Sequence, residues 1–187
     1  MEPLDLLKRT AAEYRTRLAA VPGDGLTEPS VCEEWTVKEV AEHIVGGNRF
    51  AVALIGGSST EQAMAVARAG RFDGDPVELY DETAAAQLAA FQAEGALDRI
   101  VRHPAGDMPG AAFIGFRAGD LLLHGWDLAR STGGDDAIPG DLAEAIYAVY
   151  LPTADMGRAV GIFADTGSEV SDDQPIDQRL LVLTGRA

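Results

Sequence analysis

Apolar residues return every three or four positions along most of this chain, the rhythm of helices packed on one face. Over Pro3–Ala20 they fall at Leu4, Leu7, Ala11, Tyr14 and Leu18, and Val21-Pro22-Gly23-Asp24-Gly25 supplies turn residues that end the helix. Residues 26–35 carry no such rhythm and read as an ordered loop. Thr36-Val37-Lys38-Glu39 matches a capping box, in which the Thr36 hydroxyl and the Glu39 carboxylate each satisfy a backbone N–H left without a helical partner. The helix it opens, 37–55, buries Val40, Ile44 and Val45. A short helix is expected over 60–69 and a loop over 71–75. Asp75 as N-cap, Pro76 at the first helical position and Glu78 two further on start a helix that runs to about residue 94 along an alanine-rich face. Residues 98–110 read as a loop with one short extended piece at 99–103. A long helix over 111–131, closed by Gly133-Gly134, is followed by one over 141–151 that Pro152 interrupts. A last helix covers 174–183 and ends at Gly185. The sum is an all-α chain: a four-helix bundle with short additional helices, forming a single domain over residues 1–187.

Composition narrows the partners. At 187 residues the chain is long enough for one domain with a real hydrophobic core. A net charge of -15 argues against nucleic acid and an anionic membrane surface as partners, since both need a basic patch. No apolar run approaches the roughly 20 residues that span a bilayer, and Met1 to Thr10 lacks the basic-then-apolar layout of a secretory signal. One cysteine, Cys32, excludes an intramolecular disulfide and fits a reducing cytosol, so a cytoplasmic location is expected. The ten acidic residues between 135 and 177, set against Arg158 alone, read as a solvated acidic surface.

The candidate chemistry sits in the long helix. Asp120 and His124 are four residues apart, about one turn, so both side chains leave the same face and can converge on one ion. A carboxylate and an imidazole at that spacing are half of a divalent metal site. His43, three residues after Val40 and at the edge of its apolar stripe, would alone read as a core-edge histidine bonded to a carbonyl. With Asp120 and His124 it completes three ligands from two helices and leaves an open position, which suggests catalysis. His103, before Pro104, reads as a solvated loop residue. With no thiolate cluster zinc is the default ion, and iron(II) and nickel suit the same donors. Asp127 is placed to orient the His124 ring or else to pair with Arg130. Arg117, three residues before Asp120, either faces the open site to bind an anionic group or lies on the surface. These two are the candidate catalytic residues. HExxH, Gly-x-Ser-x-Gly, Walker and dinucleotide glycine motifs are absent. Cys32 reads as packing, with a thiol–imidazole pair to His43 as the alternative.

Residues 32–43, CEEWTVKEVAEH, and 120–130, DLLLHGWDLAR, together resemble the mycothiol-dependent maleylpyruvate isomerase family of the DinB-like superfamily, and within it a short actinobacterial metal-binding branch. Gly46-Gly47-Asn48-Arg49-Phe50, residues 104–110 (PAGDMPG) and the ending RLLVLTGR extend the likeness over most of the chain. The resemblance implies a DinB-like bundle with a metal held by His43, Asp120 and His124, and mycothiol as a low-molecular-weight thiol cofactor whose thiolate takes the open metal position. Aspartate stands at 120 where the isomerase type carries glutamate, and its shorter reach would draw an ion closer to the helix. The expected function is a metal- and thiol-dependent transferase or isomerase acting on a small electrophilic substrate. The alternative is a non-catalytic metal-binding module serving stress response or partner binding, which would tolerate a sealed, apolar surround where turnover needs polar groups at the open position. Bundles of this type often pair through exposed helix faces, so a homodimer is an expected option.

Overall fold

Caps and turns written into the chain set where its helices begin and end. The computed structural model describes residues 1–32, 34–69, 74–159, 161–164 and 168–186. In order these form α1 (Pro3–Ala20), α2 (Val37–Ile55), α3 (Thr60–Arg68), α4 (Pro76–Gln92), a hairpin of β1 (Ile100–His103) and β2 (Gly106–Pro109), α5 (Gly110–Thr132), α6 (Gly140–Tyr150), α7 (Ala154–Ala159) and α8 (Ile176–Leu183). The loop expected over 71–75 lies mostly outside the described residues, as does Glu33.

The capping box forms as its sequence requires: Thr36 Oγ1 accepts from Glu39 N at 3.3 Å, and Thr36 N donates to Glu39 Oε2 at 2.8 Å. Asp75 caps α4 by accepting from Val77 N at 2.7 Å and from Glu78 N. A second capping box, Ser59 with Gln62, opens α3. Gly133 closes α5 in the left-handed conformation, φ 70°, which a glycine adopts without steric cost. Helix α4 stops at Gln92, short of the expected 94, because Ala93 is extended and Gly95 turns with φ 70°.

The chain divides into two compact units, residues 2–136 and residues 137–187 with Met1. In the first, α1 packs on α5 and α4, and α2 packs on α4 and α5, which closes a four-helix bundle. Its core joins Leu7, Tyr14 and Leu18 of α1 to Val40, Ile44 and Val45 of α2, Tyr80 and Phe91 of α4, and Phe113, Ile114 and Leu121 of α5. Helix α3 lies against α2. The fold class is all-α, as expected, with the hairpin as its only sheet among the described residues. In the second unit α6 packs against α8. No described helix is long and apolar enough to cross a membrane.

Two expectations change in the hairpin. The extended piece at 99–103 has a partner, since Gly106 (φ 117°) turns the chain back and Val101 pairs with Met108. His103 is half-buried, not a solvated loop residue: its ring lies 5.7 Å from that of Phe50, 5.2 Å from Phe113 and 5.8 Å from Phe116. Burial holds its imidazole below the ordinary pKa, with the Arg117 charge acting in the same direction and Asp120 opposing. Its Nδ1 accepts the Ala105 N–H at 3.1 Å, which requires an unprotonated nitrogen.

A histidine with a depressed folded pKa takes up its proton more readily in the unfolded chain. Its contribution to stability is complete above the unfolded value of 6.5 and is lost as pH falls through the folded one. Urea unfolding below pH 6.5 is therefore expected to show a steeper loss of stability in the wild-type chain than in His103→Phe. Parallel slopes would place the His103 ring in solvent.

Candidate metal centre

Helix α5 carries the centre as one stripe. Arg117, Asp120, His124 and Asp127 follow at spacings of three, four and three, so their side chains leave the same side of the helix. Helix α2 faces them with His43, Gly47 and Asn48, and α4 adds Thr83 and Gln87. The loop before α2 adds Cys32 and Trp35.

The three expected ligands come together. His43 Nε2 and His124 Nε2 each lie 3.3 Å from Asp120 Oδ1, and the three residues each offer a ligand atom within 4.8 Å of the others. The His43 side chain is 41% exposed and that of Asp120 24%, so this side of the group opens to solvent. Asp127 is buried and its Oδ2 lies 2.8 Å from His124 Nδ1, the ring-orienting placement weighed from sequence. Arg130 pairs instead with Asp136 at 3.2 Å.

Arg117 is neither on the surface nor reaching into solvent. It is buried, and each of its three nitrogens finds an acceptor: Nε in Gln87 Oε1 at 2.9 Å, Nη2 in Asn48 Oδ1 at 3.0 Å and Nη1 in Asp120 Oδ2. Asn48 Nδ2 passes the chain on to Thr83 Oγ1 at 3.2 Å, which donates to the Leu79 carbonyl. Gly47 makes the room, since a Cβ there would overlap the guanidinium. Asp120 thus has two differently occupied oxygens, Oδ2 on Arg117 and Oδ1 toward the histidines. Asn48, Gln87 and Gly47 were not legible as site residues. The only trace was Gly46-Gly47-Asn48 inside a motif known by resemblance.

The electrostatics follow from this crowding. Burial by itself would raise the Asp120 pKa, but the charges of His43 and Arg117 and the hydrogen bonds from both histidines hold it well below the usual carboxylate range. Burial opposes protonation of His124, yet hydrogen bonds to Asp120, Asp127 and Cys32 lift its pKa well above the ordinary value. An imidazole between two carboxylates keeps its proton, and that proton occupies the place a cation would take.

The loop from Glu28 to Thr36 closes one side. Val37 N donates to the Glu28 carbonyl and Ser30 N to that of Trp35, while Val31 N reaches Ser131 Oγ on α5 at 2.9 Å. Glu34, with φ 68°, is the one non-glycine residue with positive φ among the described residues, a conformation that costs about 1 kcal/mol or more. It turns the chain so that the Trp35 ring stands 5.1 Å from that of His43 and 6.0 Å from that of His124. Cys32 lies against His124 and Asp127, with Sγ 3.9 Å from Nδ1 and 3.2 Å from Oδ2, and not in a pair with His43.

Residues 7–129 match the model of the mycothiol maleylpyruvate isomerase N-terminal domain. Two uncharacterised proteins from two strains of Mycobacterium tuberculosis are each 31% identical over 198 residues, spanning 100% of this chain and 98% of their own. Two crystal structures of the mycothiol-dependent maleylpyruvate isomerase, one of a histidine-to-alanine mutant, have TM-scores of 0.60 and 0.59 at 20% identity and cover 82% of this chain and 68% of theirs. At that identity the likeness is one of fold.

Replacing Arg117 by methionine leaves the Asp120 carboxylate without its fixed partner and two buried amide oxygens without donors. A loss of roughly 3–5 kcal/mol in unfolding free energy is expected from denaturant titration. Arg117→Lys keeps the charge but lacks the planar fork and should fall between the two. A loss below 1 kcal/mol for the methionine variant would show that the network carries little.

Proposed function

The chain belongs to the family of mycothiol maleylpyruvate isomerase N-terminal domains, and from that premise we propose that it is a divalent-metal-dependent enzyme using a low-molecular-weight thiol, mycothiol, in an isomerisation or transfer on a small electrophilic substrate. The observation that carries the reading is the convergence of His43 Nε2 and His124 Nε2 on Asp120 Oδ1, each at 3.3 Å, with a ligand atom of each residue within 4.8 Å of the others. Ligand atoms about 2.0–2.1 Å from a tetrahedral ion stand about 3.3 Å apart, so these residues need little movement to close on zinc. Two imidazoles and one carboxylate oxygen also suit iron(II) and nickel. His43, Asp120 and His124 would hold the ion. Asp120 would ligate through Oδ1 alone, because Arg117 holds Oδ2.

When bound, such an ion supplies positive charge that lowers the pKa of a thiol or water at its open position. The chain's own residues set the surroundings. Arg117 balances Asp120 and fixes the carboxylate's rotation. Asp127 accepts the Nδ1 proton of His124 and so leaves the Nε2 lone pair facing Asp120 and His43. Trp35 covers both imidazole rings and keeps bulk water from that side. The side toward His43 stays open to solvent, which supports turnover over a sealed, non-catalytic metal module.

Metal analysis of untagged protein tests this. Near-stoichiometric zinc, nickel or iron is expected in the wild type and none in His43→Ala, Asp120→Ala or His124→Ala. Asp127→Asn should keep the fold while binding zinc about 10–100-fold more weakly. Metal-loaded protein should isomerise maleylpyruvate or a related small electrophile only when mycothiol is added. Wild-type protein that takes up no ion on reconstitution would refute the reading.

A further inference from the structure

His124 stands between two carboxylates through its two ring nitrogens. Nε2 is 3.3 Å from Asp120 Oδ1, and Nδ1 is 2.8 Å from Asp127 Oδ2. Either neutral tautomer therefore has its proton accepted: Nδ1–H by Asp127, or Nε2–H by Asp120. The second tautomer turns the Nδ1 lone pair toward Asp127 and Cys32. On that side an imidazole nitrogen, a buried carboxylate oxygen and the chain's one thiol lie within 4.8 Å of one another, with Sγ 3.2 Å from Oδ2 and 3.9 Å from Nδ1.

A sulfur and a nitrogen or oxygen ligand of a tetrahedral ion of zinc size stand about 3.5 Å apart. Both sulfur separations here are near that value, and only the Asp127–His124 hydrogen bond has to open by a few tenths of an ångström. The half-buried thiol is held in place from both sides, by the Ser30 hydroxyl on its backbone N–H and by the Val31 N–H on Ser131 Oγ. Ser131 Oγ in turn donates to the backbone carbonyl of Asp127 at 2.6 Å, so the loop is tied to the α5 turn that carries Asp127.

We propose that Cys32, Asp127 and His124 Nδ1 form a second metal position, one whose thiolate favours a soft cation such as cadmium, and that filling it withdraws His124 from the first. The donor sets differ in softness. The thiolate draws the softer cation more strongly than two imidazoles and a carboxylate do, while zinc accepts either donor set. On binding, one proton leaves Cys32 and one leaves Nδ1, while the ring keeps its Nε2 proton against Asp120. A neutral imidazole has one lone pair, so it serves one ion at a time. Only this last step, the exclusion, rests on the function proposed above.

The test titrates cadmium into reduced, metal-free full-length protein and follows the thiolate-to-cadmium charge-transfer absorbance. With one cysteine in the chain, that band reports on Cys32 alone, and Cys32→Ser is its blank. The expected result is a band that saturates at one equivalent, weakens about tenfold or more in Asp127→Asn and His124→Ala, and persists in His43→Ala. No band, or a band of equal affinity in Asp127→Asn and His124→Ala, overturns the site and reduces Cys32 to an isolated thiol; helix content by circular dichroism confirms that each variant is folded. In zinc-loaded protein, cadmium is expected to release zinc from the wild type at concentrations that leave Cys32→Ser loaded, and equal release from both overturns the exclusion. If the protein holds no zinc at all, the function proposed above fails and the absorbance titration still decides the site.

Discussion

A guanidinium buried in the middle of a bundle needs acceptors around it, and the site grows out of how Arg117 is answered. Its acceptors come from three helices: Gln87 of α4, Asn48 of α2 and Asp120 of α5. A single missing acceptor would leave part of a charge in a low-dielectric interior, where the penalty is several kcal/mol. The same pairing fixes the Asp120 carboxylate in rotation, with one oxygen committed and the other presented to His43 and His124. The absent side chain of Gly47 is what lets the guanidinium sit there.

Helix α5 then acts as a rigid ruler. Arg117, Asp120, His124 and Asp127 occupy one side over three turns, so their relative heights are set by helical geometry and not by loop conformation. The loop before α2 closes the assembly from outside and places Trp35 on both imidazoles. A positive φ at Glu34 is part of that placement, the kind of local cost that persists where the surroundings over-determine it.

Much of this was legible in the residues because it is local. The capping box at Thr36 and Glu39, the proline start of α4 and the Gly133 stop of α5 are contacts within a few positions. The Asp120–His124 spacing states its own geometry. What could not be read depends on partners far along the chain. Arg117 lies 69 residues from Asn48 and 30 from Gln87, and nothing in its neighbourhood marks it as buried. Cys32 meets His124 and Asp127 across 92 and 95 residues, a pairing that no local pattern marks. The burial of His103 is hidden in the same way, since Phe50, Phe113 and Phe116 enclose it from two other elements. Trp35 had one local signal, its place just before the N-cap Thr36, where an apolar side chain commonly packs back on the helix.

The distribution of Arg117's partners also shapes how the bundle assembles. The pair with Asp120 is one helical turn long and can exist on a solvated, isolated α5, where it is worth only a few tenths of a kcal/mol. Asn48 and Gln87 arrive only when α2 and α4 dock. A chain with α5 on α1 but without the other two helices would hold a guanidinium half stripped of water, and such a state is disfavoured on either side. Closure of the four helices is thereby favoured as a single concerted step, in which Arg117 gains Asn48 and Gln87 as the Asp120 carboxylate is locked.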